Sequence, residues 1–389
     1  MRNIPKVALL VETSREFGRE LLRGIARYAQ QHGPWSFYVT PGDFVQEMPK
    51  MKQWGGTGII ARVTDASIAK AIVSARLPTI VVGLSSEQKR PDNPLAHFVE
   101  IGPDESEIAR LAAEHFLDRH FRNFAYVGME ERAWSQPREQ AFCSFLREAG
   151  YTPHVYRQPK RDRDRDWERE QNILAEWIRT LPKPLALFAC NDDRGRQVLE
   201  VCQMEELRVP DDVAVLGVDN DDVFCELSNP PLSSIALNAE TAGFRAAELL
   251  DAMMRGLTQE PTHIPAEVLG VVTRMSTDFI AVNDPDVAAA LKFIRRERGN
   301  HMSVDDVAES SALSRRTLEK RFRSATGRSI LEDIQLVRLE RAKQLLLETS
   351  LSVSKIATLS GFGSTGYFIQ FFQRRAGKTP RKFRNELKS

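Results

Sequence analysis

Cysteine is scarce in this chain. Its 389 residues include only four, Cys143, Cys190, Cys202 and Cys225, widely spaced and with no CxxC pair. That spacing excludes a secreted-type disulfide framework and a thiolate zinc site, and a reducing, cytoplasmic setting is expected. No apolar run approaches the ~20 residues that a membrane span needs, so no membrane association is expected. The opening Met1-Arg2-Asn3-Ile4-Pro5-Lys6 lacks the apolar core and cleavage site of a signal peptide. The seven histidines show no HExxH spacing, and there is no GxSxG elbow. Gly55-Gly56-Thr57-Gly58 precedes a strand-like run rather than following one, which makes it a poor phosphate loop. The chain is therefore not expected to be an enzyme, and no metal or cofactor is expected.

Net charge is also nearly absent. There are 54 Lys+Arg against 53 Asp+Glu, a formal charge of +1. The balance hides an asymmetry. From Pro285 to Ser389 there are 21 Lys+Arg and 11 Asp+Glu, giving +10, while residues 1–284 carry 33 and 42, giving −9. Such a split points to a nucleic-acid-binding tail. The length suits two or three domains. The run Lys160-Arg161-Asp162-Arg163-Asp164-Arg165-Asp166 alternates in sign and reads as a solvated loop.

The acidic part alternates strand-like and helix-like segments. Val7–Val11, Gly58–Ala61, Thr79–Gly83, Phe124–Gly128, Leu185–Ala189 and Val213–Val218 read as buried strands. Helical patterns lie between them, including Phe17–Tyr28, Ile68–Val73, Glu105–Phe116, Phe142–Ala149, Trp167–Ile178 and Val198–Cys202. Repeated βα units imply parallel sheets covered on both faces. Ligands of such sheets bind beyond the carboxyl ends of the strands. The polar residues there are Glu12, Thr13 and Arg15, then Arg62, then Asn191, Asp192 and Asp193, then Asp219 and Asn220. Asp and Asn at these positions serve equally well as helix N-caps.

Several motifs in this part resemble the effector-binding core of the LacI/GalR regulators. They are Gly217-Val218-Asp219-Asn220 followed by Pro230-Pro231-Leu232-Ser233-Ser234-Ile235, Asn191-Asp192 at a strand end, Arg138 with Phe142, and Arg274-Met275-Ser276. The resemblance implies two doubly wound lobes, like those of periplasmic binding proteins, joined by three crossovers around a small sugar-like ligand. Arg138 and Asp219 carry over most directly as ligand contacts, followed by Asp192 with Asp193 as its alternate. Phe17 and Trp134 are candidate stacking faces, with core packing as the other reading. Glu12 and Arg62 are charged where sugar binders often carry a neutral amide or a carboxylate. That implies an ion pair across the cleft, or a ligand unlike a simple neutral sugar.

The basic part contains one unit twice. Val304, Ala308 and Leu313 recur 49 residues later as Val353, Ala357 and Phe362. Leu318, Phe322 and Gly327 recur 50 residues later as Phe368, Phe372 and Gly377. Each copy reads as a helix-turn-helix, at about 303–326 and about 352–376, with Ser303 and Ser352 as N-caps. In the first copy Arg316, Lys320 and Arg323 share the outer face with Thr317 beside them, and Ser314 and Arg315 lie at its start. Such a face suits phosphate contact and guanine readout. In the second copy Gly366 has no side chain to read a base, whereas Ser364, Thr365, Gln370, Gln373 and Arg374 can bond bases or phosphates. A linker helix at about 330–348 should bury Leu331, Ile334, Ala342, Leu345 and Leu346 on one face. It would hold the two recognition helices about one DNA turn (~34 Å) apart.

This duplicated unit resembles the DNA-binding domain of the AraC/XylS regulators, including the ending Gly377-Lys378-Thr379-Pro380-Arg381-Lys382-Phe383-Arg384. A LacI-like sensor followed by an AraC-type reader resembles the xylose-responsive transcriptional activators of bacteria. The expected organisation is an α/β sensor and dimerisation domain at 1–280 and an all-α DNA-binding domain at 281–389. The expected partners are double-stranded DNA half-sites, a small carbohydrate such as xylose or another pentose, a second copy of the chain in a homodimer, and RNA polymerase. The alternatives are a sensor half that only dimerises and, further off, a sugar-processing enzyme.

Overall fold

The structure is a computed structural model. It describes residues 4–39, 48–130, 132–159, 167–257, 262–279, 281–282, 284–297 and 301–388. The alternating-charge run Lys160–Asp166 lies outside them.

The chain divides into two compact units, and the first comprises Met1–Glu114 with Asn123–Thr277. Its strands are β1 (Lys6–Leu10), β2 (Ser36–Val39), β3 (Gly58–Arg62), β4 (Thr79–Val82), β5 (Val99–Gly102), β6 (Asn123–Val127), β7 (His154–Tyr156), β8 (Leu185–Ala189), β9 (Val213–Val218), β10 (Ser233–Asn238), β11 (His263–Pro265) and β12 (Glu267–Val272). They form two six-stranded sheets, ordered β11-β5-β4-β3-β1-β2 and β12-β10-β9-β8-β6-β7. Every neighbouring pair is parallel except β10 with β12. The chain passes between the sheets three times: between β5 and β6, between β10 and β11, and between β11 and β12. That is the two-lobed, doubly wound α/β architecture with three crossovers.

The helices of this unit are α1 (Glu16–His32), α2 (Met51–Trp54), α3 (Ala66–Ala75), α4 (Glu105–Leu117), α5 (Ser135–Glu148), α6 (Trp167–Thr180), α7 (Asp192–Met204), α8 (Asp222–Leu227) and α9 (Ala239–Met254). Parallel strands bury both faces, which is why they read as unbroken apolar runs. In the first sheet Ala8, Leu10, Ile59, Ala61 and Val81 pack with Ile68 and Ile72 of α3. Val7, Leu9, Ile60 and Ile80, one residue out of phase, are buried as well. In the second sheet Leu185, Leu187, Val213 and Val215 pack with Leu174 and Ile178 of α6 and Val198 and Leu199 of α7.

Helices α1 and α9 touch backbone to backbone. A Cβ placed on Gly24 would lie 1.9 Å from the Glu240 carbonyl oxygen, and one on Gly243 would lie 2.1 Å from that of Leu21. Only glycine fits at either place.

The second unit comprises His115–Arg122 with Asp278–Ser389. The last three residues of α4 and the turn after them thus belong with the helices that close the chain. Those helices are α10 (Pro285–Arg296), α11 (Val304–Glu309), α12 (Arg315–Thr326), α13 (Ile330–Glu348), α14 (Val353–Leu359), α15 (Thr365–Ala376) and α16 (Pro380–Lys388). Both copies use the same local devices. Ser303, Ser314, Ser352 and Ser364 cap α11, α12, α14 and α15 by accepting backbone N–H bonds. Gly327 and Gly377 end α12 and α15 in the left-handed conformation, at φ 72° and 71°.

Each copy has its own core. Leu318 and Phe322 pack with Val287, Leu291 and Ile294 of α10 and with Ile330, Ile334 and Val337 of α13. Phe368 and Phe372 pack with Ile356 of α14, Phe383 of α16, and Leu339, Ala342, Leu345 and Leu346 of α13. This corrects the single apolar face expected of the linker helix. At ~100° per residue, the Ile330–Ile334–Val337 group and the Leu339–Ala342–Leu346 group point roughly 145° apart. Leu331 has nearly the phase of Ala342 but sits at the opposite end of the helix from that core and is 49% exposed, and Ile330 takes the buried place instead.

Replacing Gly243 by Val should destabilise the first unit by about 1–3 kcal/mol through overpacking of α1 on α9, read as a lower urea midpoint of its unfolding transition.

Candidate functional site: a charged cleft and a pair of recognition helices

Within the first unit, a cavity of about 110 Å³ opens where strand ends of both sheets converge. Glu12, Arg15, Phe17 and Arg62 line it from the first sheet, and Trp134, Arg138 and Asp219 from the second. Leu84, Lys89, Glu100, Glu105, Pro137, Leu237 and His263 complete much of the wall.

Almost every charge in the cavity is already paired. Arg62 Nε donates to Glu12 Oε2 at 2.8 Å, and its guanidinium lies 5.7 Å from the Phe17 ring centroid. The two side chains come from adjacent strands of one sheet. The ion pair expected from these residues therefore lies within a lobe, not across the cleft. Burial works to raise the Glu12 carboxyl, but the Arg62 guanidinium outweighs it and holds the group below the usual carboxylate range. Lys89 Nζ meets Glu100 Oε1 at 3.0 Å, and that oxygen also accepts the Leu84 backbone N–H.

Arg138 organises the floor. It is buried on α5, donates from Nε to Glu105 Oε2 at 2.7 Å, and donates from Nη1 to the Cys190 carbonyl at the end of β8. Its guanidinium lies 5.2 Å from the Trp134 ring centroid, a cation–π distance. Burial raises the Glu105 carboxyl above its ordinary value, against the pull of Arg138.

Asp219 is the exception, being the cavity carboxylate without an ion-pair partner among the described residues. It follows β9 at φ 102°, and Asn220 follows at φ 51°. Two successive residues in the left-handed region cost free energy. Neighbouring strand β10 holds them there. The Asp219 N–H donates to the Ile235 carbonyl, and the Asn220 N–H to Ser234 Oγ, both at 2.9 Å. Burial lifts the Asp219 carboxyl to about 7, with Arg138 and Arg15 pulling against it.

Four expected contacts have other partners. Asp192 is fully buried, accepting from the Asp221 N–H at 2.7 Å and from Ser234 Oγ at 2.5 Å. The Asn220 side-chain oxygen accepts from Arg274 Nη1 at 2.9 Å. Thr13 offers its carbonyl to Arg19. Asp193 accepts from Arg15 Nε and Nη2 at 3.0 and 2.8 Å. Arg15 follows β1 and Asp193 lies on α7, so this pair joins the two lobes. A second tie lies beside it: Asp221 Oδ2 accepts from Arg19 Nη2 at 2.6 Å and from the Glu16 N–H at 3.0 Å. Asn191 caps α7 by accepting from the Arg194 N–H at 3.0 Å.

Sequence reasoning passed over Lys89, Glu100, Glu105 and His263. The strand-end rule would have found Glu105 had β5 been recognised, whereas Glu100 lies inside that strand and escapes the rule. With four residues and a glutamate second in line, it does not read as a buried strand.

In the second unit, α12 exposes Arg316, Thr317, Lys320 and Arg323. Arg315 is tied down instead, by Asp305 at 2.6 Å and Glu319 at 3.0 Å. On α15, Gln370, Gln373 and Arg374 are exposed along with Gly366. Thr365 Oγ1 bonds Ser354 Oγ at 3.2 Å, and Ser364 is engaged as the cap. Tyr367, which the sequence reading did not single out, is 47% exposed beside them, and its hydroxyl accepts from Gln335 Nε2 at 2.9 Å.

Comparison with known proteins follows this division. The XylR N-terminal domain matches residues 6–102, a periplasmic binding protein-like domain matches residues 113–277, and a helix-turn-helix domain matches residues 307–386. The xylose operon regulatory protein of Escherichia coli strain K12 is 31% identical over 384 residues, which cover 98% of this chain and 97% of that protein. The chain belongs to that family. The regulator of the same description from Haemophilus influenzae is 29% identical over 97% of this chain and 98% of its own length. A solved structure described as a xylose-binding transcription activator aligns with a TM-score of 0.61 and 28% identity, covering 99% of this chain and 98% of that one. The chain is thus a helix-turn-helix transcriptional regulator with a periplasmic-binding-protein-like sensor. Its relatives are regulators rather than enzymes. No described helix is long and apolar enough to cross a membrane.

The raised Asp219 carboxyl has a stability consequence. The unfolded chain ionises this group near its ordinary value of 3.8, the folded chain only near 7. The folded state therefore binds more protons between those values and loses stability as pH rises through the window. Asp219→Asn removes that loss. The urea midpoint of the variant relative to the parent, without sugar, should climb from pH 5 to pH 7.5 and level off above.

Proposed function

We propose that this regulator senses a neutral aldopentose, D-xylose foremost, in the cleft between its sensor lobes, and that the sugar changes how α12 and α15 engage adjacent DNA half-sites. The observation that carries this reading is the charge inventory of the cleft. Glu12, Glu100 and Glu105 are neutralised by Arg62, Lys89 and Arg138, and Asp219 remains as the carboxylate available to a ligand. A neutral sugar supplies hydroxyl donors to Asp219 and apolar ring faces to Phe17 and Trp134. A sugar acid would bring its negative charge beside Asp219, which is itself partly ionised near neutral pH. The cavity charges thus favour the neutral ligand over the alternative that Glu12 and Arg62 left open. The family's regulators named for the xylose operon support the same choice.

The sugar acts through its different affinity for the open and closed arrangements of the lobes. Arg15–Asp193 and Arg19–Asp221 stabilise closure. The working form is a cytoplasmic homodimer that activates transcription and contacts RNA polymerase when bound. Arg316, Thr317, Lys320, Arg323, Gln370, Gln373 and Arg374 read or grip the DNA. Ser314, Arg315, Ser364 and Thr365 set the helix starts beside it.

Calorimetry on the full chain tests the ligand. D-Xylose should bind, D-xylonate should bind at least tenfold more weakly, and Asp219→Ala should cost D-xylose at least tenfold. Preferred binding of the acid would overturn the neutral-sugar reading. For DNA, Arg316→Ala should weaken operator binding by about 1–3 kcal/mol if it pairs with a guanine, measured by fluorescence anisotropy. An equal loss on unrelated DNA would make Arg316 a phosphate contact. Operator affinity should fall with added salt as phosphate contacts are screened, while sugar affinity should hardly move.

A further inference from the structure

Helix α4 has a foot in each unit. Its first residue, Glu105, lines the sensor cavity and holds Arg138. Its last three residues, with the turn that runs to Arg122, belong to the second unit. Inside that unit the turn is gripped from several sides. Arg119, fully buried, donates from Nη1 to the His115 carbonyl at 3.1 Å and from Nη2 to Glu340 Oε2 on α13 at 3.3 Å. Its own carbonyl accepts the Ala281 N–H at 2.9 Å. Arg328, just before α13, donates to the Asp118 side chain at 2.9 Å and to its carbonyl at 2.6 Å, and lies 3.2 Å from His120 Nε2. Arg295 of α10 approaches Glu340 at 4.0 Å and Asp278 at 3.4 Å. The Phe121 and Phe279 rings lie 6.1 Å apart.

The helix held in this way is the one both reading heads share. The first half of α13 completes the core of α12, and its second half completes the core of α15. A buried guanidinium is a poor choice if stability is the only purpose, because the cost of desolvating the buried charge offsets its Coulomb attraction to a partner. What such a pair supplies is register. It fixes one position of the 115–122 turn against α13 and penalises others.

We infer that Arg119 and Glu340 are positioning residues which couple the sensor to the reader: α4 carries a change at Glu105 and Arg138 to the turn, and the Arg119–Glu340 pair passes it to α13. This rests on the sugar-sensing reading above. It adds Arg119 and Glu340, neither of which lines the cavity or lies on α12 or α15.

The experiment compares the full-length parent with Glu340→Gln and Arg119→Lys, the first being the milder change because Glu340 is partly exposed. Two quantities are measured with D-xylose as the probe: sugar affinity in the absence of DNA, and operator affinity with and without saturating sugar. In the parent, the operator affinity ratio should lie between about 5 and 150, the usual range of allosteric coupling. In both variants sugar affinity should stay within about twofold of the parent, operator DNA should still bind, and the ratio should fall to below half the parent value. Reciprocity requires that the rise in sugar affinity on adding operator DNA shrink by the same factor. A variant that merely unfolded the reader would lose operator binding with and without sugar, so Glu340→Gln decides if Arg119→Lys does so. A parent that responds to sugar and Glu340→Gln responding to the same degree would overturn the inference. A parent that does not respond at all would overturn the sugar-sensing reading itself, and the inference with it.

Discussion

One buried guanidinium holds the sensor's ligand-facing surface together. Arg138 comes from α5, grips the first residue of α4, takes the carbonyl at the end of β8, and lies over the Trp134 ring. A guanidinium has five donors in a planar fork and stays charged in a protein interior. It can therefore satisfy several elements at once, where a lysine would serve one. The cleft depends on this cross-brace, because its aromatic wall, its acidic neighbour and the strand end behind it are all fixed by the same group.

Around that brace the protein has neutralised its own cavity. Three carboxylates sit within contact of three cations, and the remaining one, Asp219, is held on a strained backbone by strand β10. Strain and an unpaired carboxylate both work against folding, and they coincide at one residue. The inter-lobe ties, by contrast, lie beside the cavity. The two lobes thus have contacts of their own outside the cavity.

How far the sequence reveals this depends on the residues. Val213–Val218 and Leu185–Ala189 are unbroken apolar runs and can only be buried parallel strands. Strand β5, Val99-Glu100-Ile101-Gly102, and strand β10, with two serines at its start, carry too little apolar signal to read. The cavity residues that follow β5 were lost with it. Helix α9 is hard to read because its contact face is built from alanine and glycine, which allow close approach without an amphipathic stripe. Asp192 and Asp219 look alike in sequence, since both end a strand. Only the fold shows that one is sealed under Ser234 and the Asp221 amide while the other faces the cavity. The duplicated helix-turn-helix was legible in the spacing of its apolar residues alone. The burial of α13 was not, because its apolar residues serve two cores in succession.

Those two faces of α13 also determine how the reading heads can change. Their relative orientation is stored as helical phase, with the turn set by how many residues separate Val337 from Leu339 and its neighbours. Inserting one residue there would rotate the second head by about 100° and advance it by about 1.5 Å. An insertion of seven is the shortest that nearly restores the phase, some 20° short of two full turns. The relative placement of α12 and α15 is thus quantised by the backbone of α13. Point substitutions can change the side chains that either helix presents, but the spacing of the two helices can change only in jumps.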